Sequence, residues 1–207
     1  DKQQVCRGLA ERAIWWFEND TYGDLYFAPQ PARYRDFADP QKLLVFSTFD
    51  KVIGSEAPYG YVLCRACEPQ LQRLFLERAF RLSPIRQKAI AKLYTSKRID
   101  AHLHKLRALL HECMIRMKNL LDEYAQGAFE VMTPHGGACF WLAATHPVDM
   151  RQVLERLLAE RIVIAPGELF SQQGSWKQHL RLSFTLDWSK DIAQAVEQLS
   201  HAVRQSP

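Results

Sequence analysis

Over the first 63 residues, short apolar runs alternate with polar and proline-rich stretches. Residues 3–12 carry helical spacing, with Val5 and Leu9 on one side and Arg and Glu opposite. The run Ala13-Ile14-Trp15-Trp16-Phe17 is continuously apolar and predicts a strand buried on both faces. Polar and glycine residues at 18–24 predict a loop at its carboxyl end, and the proline-rich residues 28–40 a surface connection. Leu43–Thr48 predicts a second buried strand and residues 59–63 a third. Such alternation implies an α/β fold with a mostly parallel sheet and helices.

From 68 to 125 the period is helical. One helix is expected over 68–81, with Pro84 suited to the first turn of the next. A long one follows over 98–124, with Ile99, Leu103, Leu106, Leu110, Met114, Met117 and Leu121 along one side and Gly127 as its stop. A Met and Leu stripe at that spacing is ordinary packing. The remainder reads as a small α+β unit. Strands are expected near 129–132, 138–144 and 162–164, a helix over 149–161, a strand over 180–184 and a last helix over 190–204. The expected domains are therefore 1–97, and 98–207 with the long interdomain helix at its start.

Composition narrows the class. The chain has 207 residues, of which 47% are apolar, 24% charged and 11% aromatic, the profile of a soluble globular protein. The net charge of +4 is spread among 23 acids and does not mark a nucleic-acid surface. No stretch reads as a signal peptide or membrane span, so a cytoplasmic protein is expected. Of the five cysteines, Cys64 and Cys67 form a CxxC without a second pair or histidines to complete a zinc site, and the simple reading is reduced thiols at a strand end. His102, His104 and His111 share a helical stretch, but only the last two share a face, so no metal site is expected. The chain opens on Asp1-Lys2-Gln3-Gln4-Val5 without a methionine, which reads as part of a longer polypeptide.

The candidate chemistry starts at Lys51, after the apolar run 43–48. A buried lysine there, with the Glu18-Asn19-Asp20-Thr21-Tyr22 turn upstream, is the layout of a pyridoxal phosphate (PLP) site. A lysine amine condenses with an aldehyde once its pKa is lowered. Ligands of α/β sheets bind beyond the carboxyl ends of the strands, where both segments would lie.

Four pieces occur in order: Asn19-Asp20-Thr21-Tyr22, Thr48-Phe49-Asp50-Lys51, Ile164-Ala165-Pro166-Gly167 with Phe170, and His179-Leu180-Arg181-Leu182-Ser183-Phe184. Together they resemble the C-terminal half of class I/II, PLP-dependent aminotransferases. The nearest likeness is to the aminotransferase-like domain of MocR-type regulators in the GntR family. Stretches 18–27, 99–109, 136–142 and 164–170 are similar to that group. The resemblance implies a C-terminal portion of the large domain over 1–97 and a small α+β domain after it. By the same resemblance Lys51 matches the Schiff-base lysine, and Tyr22 the tyrosine that bonds the cofactor phenolic oxygen. Thr48 matches a phosphate-binding hydroxyl. Arg181 matches the arginine that meets a substrate α-carboxylate, a role suited to its planar fork.

The departures point away from turnover. Asn19 stands where the family has an aspartate that keeps the pyridine nitrogen protonated, and an amide brings no charge. Gly54-Ser55-Glu56-Ala57-Pro58-Tyr59-Gly60 puts Pro58 where the family has a phosphate-gripping arginine, and Glu56 adds a negative charge. Losing the charge-assisted contact and adding repulsion should each cost on the order of one to a few kcal/mol. The resemblance also leaves the ring-stacking aromatic and a winged helix-turn-helix to an N-terminal part outside this chain.

The expectation is an effector-sensing or dimerising domain of a transcription regulator, binding an amino acid or PLP-like molecule. Family likeness adds a homodimer that meets DNA only through the N-terminal part. The alternative is part of an active PLP-dependent aminotransferase acting on an amino acid and a 2-oxo acid. A purely structural dimerisation domain is the third reading.

Overall fold

The sheet that carries Lys51 turns back on itself after the second strand. In the computed structural model, which describes residues 1–206 except 11, 13, 28, 56 and 81, β1 (Trp16–Asn19) pairs in parallel with β2 (Leu43–Thr48). β3 (Gly60–Cys64) pairs antiparallel to β2. Its direction departs from the mostly parallel expectation within this three-stranded sheet. Residues 49–59 are too few for a parallel crossover, which takes about a dozen or more.

The chain divides into two units, Asp1–Arg107 and Ala108–Pro207. In the first, α1 (Lys2–Ala10) brings Cys6 to a small buried cluster with Ala38, Leu43 and Val45, against which Trp16 and Tyr34 pack. Central β2 alternates buried Leu43, Val45 and Ser47 with half-buried Leu44, Phe46 and Thr48. β1 is not buried on both faces as its apolar run predicts. It is an edge strand, and Phe17 on it is 68% exposed. Residue 13, where that run begins, lies outside the described residues.

The helices α3 (Glu68–Glu77), α4 (Pro84–Thr95) and α5 (Arg98–Tyr124) follow. α3 stops four residues before its expected end for a local reason. Ala79 takes a left-handed φ of 55°. Phe80 N–H then donates to Phe75 O and Ala79 N–H to Leu76 O, the paired bonds of a Schellman cap. Phe75 and Phe80 close the cap edge-to-face at 6.0 Å. Without a glycine at 79, the sequence carries little sign of this ending.

In the second unit β4 (Phe129–Val131), β5 (Cys139–Ala144), β6 (Ala165–Pro166) and β7 (His179–Ser183) form one antiparallel sheet in the order β4-β5-β7-β6. The register sets Phe140 opposite Leu182 and Leu142 opposite Leu180 on the inner face. Phe140, Leu142, Leu180 and Phe184 are fully buried there, with Phe140 and Phe184 edge-to-face at 5.6 Å. Helices α6 (Met150–Ala159) and α7 (Ile192–Arg204) bury their own stripes, Met150, Val153 and Leu157 on one and Val196, Leu199 and Val203 on the other. Each starts with an aspartate cap: Asp149 accepts from Arg151 N–H and Asp191 from Gln194 N–H. The strand expected at 162–164 forms instead at Ala165–Pro166. Ile162 is still engaged in the Schellman cap of α6, donating to Leu157 O, with Arg161 at φ 59°.

Candidate functional site

The carboxyl ends of parallel β1 and β2 bring together four of the five residues singled out in the sequence. Asn19 ends β1 and begins a turn in which its Oδ1 accepts from Thr21 N–H at 3.1 Å and Thr21 Oγ1–H at 2.6 Å. The turn is tied to β2 by Asp20 N–H donating to Phe46 O and Ser47 Oγ donating to Asp20 O. Tyr22, on the same turn, is exposed and lies within electrostatic reach of Lys51. Thr48 ends β2, and Lys51 sits in the short helical turn α2 (Asp50–Ile53) that follows.

Lys51 is exposed, not buried as its setting predicts, and its charge is better held than usual. Its Nζ donates to Asp50 Oδ2 at 2.7 Å. That hydrogen bond, and the attraction behind it, raise the lysine pKa; the ammonium in turn lowers that of Asp50, with help from Thr48. The free amine the chemistry wants is therefore scarcer than at an ordinary exposed lysine. The cause is the adjacent acid, visible at position 50 but assigned no part in the sequence reading.

The acids of the Glu18–Asp24 stretch are engaged elsewhere. Asp20 pairs with Arg33 and Arg35, Glu18 takes Arg35 Nε at 3.0 Å and Tyr34 N–H at 2.8 Å, and Asp24 takes Arg33 at 2.8 Å. Asp20 is thereby aimed at the 33–35 segment and is not a substitute for the missing aspartate at 19. With Asn19 Oδ1 committed to Thr21, the free part of its side chain is the amide NH2, a donor. A cleft of about 400 Å³ opens beside this loop, with Asn19, Tyr22 and Arg33 among its walls.

Two residues that sequence reasoning passed over hold the site in place. His102 Nε2 lies 2.7 Å from Val52 O, which can only accept, so that nitrogen carries the proton and anchors the Lys51 turn. Arg107 Nε donates to Asp24 O at 2.7 Å, and its guanidinium lies 3.8 Å from the Tyr26 ring centre. Both belong to the 99–109 stretch quoted for the resemblance; their partners are distant in sequence, which periodicity cannot reveal.

In the other unit, Arg181 lies on the outward face of β7, exposed between buried Leu180 and half-buried Leu182, opposite Trp141. Its guanidinium lies 5.1 Å from the Phe170 ring centre. Trp141 sits among Phe170, Trp176 and His179. A cavity of about 650 Å³ beside Arg181 is lined by apolar residues including Ile164, Leu182, Val196 and Leu199, with Arg161, Lys190 and Asp191. No carboxylate lies within 4 Å of Arg161, Arg181 or Lys190 among the described residues.

The residues present fit PLP through a reduced set of contacts. Thr48 Oγ1 is buried, turned toward the Asp50 carboxylate but without a well-formed hydrogen bond, so a phosphate oxygen would compete with Asp50 for it. Lys51 Nζ and the Tyr22 ring are accessible from solvent. Pro58 is exposed and supplies no cation, while Glu56, expected to repel a phosphate, lies outside the described residues.

This geometry belongs to a known class of fold. The structure superposes on alpha-aminoadipate aminotransferase LysN of Thermus thermophilus with a TM-score of 0.87, at 21% identity, covering 98% of this chain and 53% of that one. Kynurenine aminotransferase of Pyrococcus horikoshii matches with a TM-score of 0.88 at 17% identity, over 99% of this chain and 51% of that one. The chain has the aminotransferase fold. In sequence it is similar to helix-turn-helix regulators: 29% identical over 207 residues to the uncharacterized HTH-type transcriptional regulator YdcR of Escherichia coli K12, covering 99% of this chain and 44% of YdcR. It is 25% identical over 181 residues to the HTH-type transcriptional regulator NorG of Staphylococcus aureus, covering 86% of this chain and 40% of NorG. The resemblance read from the sequence thus holds on both sides, regulators in sequence and aminotransferases in fold. The chain spans less than half the length of these regulators. No family model matches it.

Proposed function

We propose that this chain is the C-terminal part of the effector-sensing, aminotransferase-like domain of a GntR/MocR-type transcription regulator in the cytoplasm. DNA contact belongs to another domain of the regulator. Lys51, Tyr22, Thr48 and Asn19 are the cofactor-facing residues, and Arg181 receives the carboxylate of an amino-acid-like effector. The regulator acts as a homodimer.

One observation carries the preference for sensing over turnover: Asn19 offers an amide donor where catalysis wants a carboxylate, and Asp20 is held by two arginines. PLP, when bound, supplies an electron sink for bonds at an amino-acid α-carbon, and the sink is deep only while the ring nitrogen is protonated. An amide N–H donated to that nitrogen favours its unprotonated form. Thr48 offers a hydroxyl to the phosphate, Tyr22 a phenol beside Lys51, and Lys51 the amine for covalent attachment. Such a site can hold a ligand without turning it over quickly.

The alternative, an aminotransferase acting on an amino acid and a 2-oxo acid, is favoured by Tyr22 lying within electrostatic reach of Lys51. Visible absorption of the full-length protein with added PLP, followed by borohydride reduction and peptide mapping, tests the reading. The expected result is attachment at Lys51, lost in Lys51→Ala, with no measurable transamination until Asn19→Asp is introduced. Attachment at another lysine sinks the site assignment, and rapid transamination by the unmodified protein returns it to the enzymes.

A further inference from the structure

The CxxC of Cys64 and Cys67 plays no part in the site above, yet the fold gives it a definite setting. Cys64 is the last residue of β3 and Cys67 the cap residue immediately before α3. Arg65, Ala66 and Cys67 make a tight turn between strand and helix. A four-residue turn keeps its outer Cα atoms within about 7 Å. A disulfide needs about 4.4–6.8 Å between them. Both cysteines are only half-buried, so small oxidants can reach them, whereas Cys6 and Cys113 are buried.

We propose that Cys64 and Cys67 form an intramolecular disulfide, a reversible modification site at the β3–α3 turn whose co-reactant is a low-molecular-weight disulfide of the glutathione type. One cysteine thiolate attacks the oxidant's S–S bond, giving a mixed disulfide and releasing one thiol. The second cysteine then attacks the protein sulfur of that mixed disulfide and releases the other thiol. Two electrons and two protons pass from the cysteine pair to the oxidant, which leaves as two thiols. The short span makes the second step intramolecular, so the mixed disulfide does not accumulate.

The surroundings set the pace. The neighbouring Cys64 thiol raises the pKa of Cys67, and burial adds to the shift. Exchange accelerates as pH rises, because the thiolate is the reacting form. Disulfide formation fixes the entry of α3 to the end of β3, and with it the helix that carries exposed Leu74, Phe75 and Leu76.

The test equilibrates the full chain without oxygen in glutathione buffers of increasing oxidised fraction, at pH 7.5 and pH 9. Acid quenching, alkylation and mass analysis of tryptic peptides follow. Trypsin cuts after Arg65, so a Cys64–Cys67 bond leaves two cleaved peptides joined until reductant is added. The expected result is that joined pair, formed several-fold faster at pH 9, with Cys64→Ser and Cys67→Ser each stopping at a mixed disulfide. The proposal is overturned if both cysteines remain alkylatable in fully oxidising buffer. It is overturned equally if the unmodified protein stops at mixed disulfides, or if either cysteine pairs with Cys6, Cys113 or Cys139.

Discussion

Helices α3 and α6 each have ten residues, each is amphipathic, and each ends in the same Schellman cap, yet they fare differently. α6 buries Met150, Val153 and Leu157; α3 buries nothing. The elements around them differ as well. The sheet beside α6 closes over Phe140, Leu142, Leu180 and Phe184, while the segments around α3 leave Leu76, Phe80 and Ile85 largely in solvent. A hydrophobic stripe is enough to specify a helix, but burial needs an opposing surface. Exposed apolar faces of this size mark surfaces suited to packing against further protein.

The largest test of this contrast is a pair of truncations. Phe140→Ala should lower stability by about 3–5 kcal/mol, through lost transfer energy and the cavity it leaves. Phe75→Ala should cost only about 0.5–1 kcal/mol, the worth of its ring contact with Phe80. Guanidinium unfolding measures both. Equal losses would mean that α3 is covered in solution and would break the comparison.

Asp20→Asn comes next. It removes the charge shared by Arg33 and Arg35 at a largely buried carboxylate, and should cost roughly 2–3 kcal/mol. Unfolding at low and high salt checks it, because a buried network loses little to screening whereas a surface pair loses most of its effect.

The two helix endings should respond in the opposite direction. Ala79 and Arg161 occupy left-handed backbone that costs a residue with a Cβ about 1–2 kcal/mol. Ala79→Gly and Arg161→Gly should each raise stability by up to about 1 kcal/mol, since glycine gives back part of that gain as chain entropy. If only one does so, the two caps are less alike than their hydrogen bonds suggest.

The smallest effect on stability, and the sharpest on chemistry, concerns Asp50. Its lowered pKa contributes stability above the ordinary carboxylate value, lost as pH falls through the lowered one. The raised pKa of Lys51 contributes below the ordinary lysine value, and that part is lost as pH rises through the raised one. The pair should hold across the whole neutral range. Asp50→Asn should lower stability only slightly, as for an exposed ion pair, and increase several-fold the rate at which Lys51 takes up an aldehyde at pH 8. Stopped-flow absorption measures that rate.

Much of this was legible in the chain. The run Leu43–Thr48 became a strand with the predicted ends, and 98–124 a single helix. The order of Asn19, Tyr22, Thr48 and Lys51 marked residues that the parallel pairing of β1 and β2 brings to one end of the sheet. What stayed hidden had physical reasons. Strand direction at β3 depends on connection length rather than on residue type. The helix ends at Ala79 and Arg161 lack glycine, the usual sign of such caps. His102 and Arg107 act on carbonyls 50 and 83 residues away, contacts that no local pattern encodes.

The Asp50–Lys51 pair also bears on timing. Condensation with an aldehyde proceeds at a rate set by the unprotonated amine, and each pKa unit upward thins that population tenfold. On the sensing reading, a lysine kept charged by its neighbour takes up an aldehyde ligand more slowly than an unpaired one would. The carboxylate one residue before the lysine then acts as a brake on the attachment step, leaving the strength of non-covalent binding to other residues.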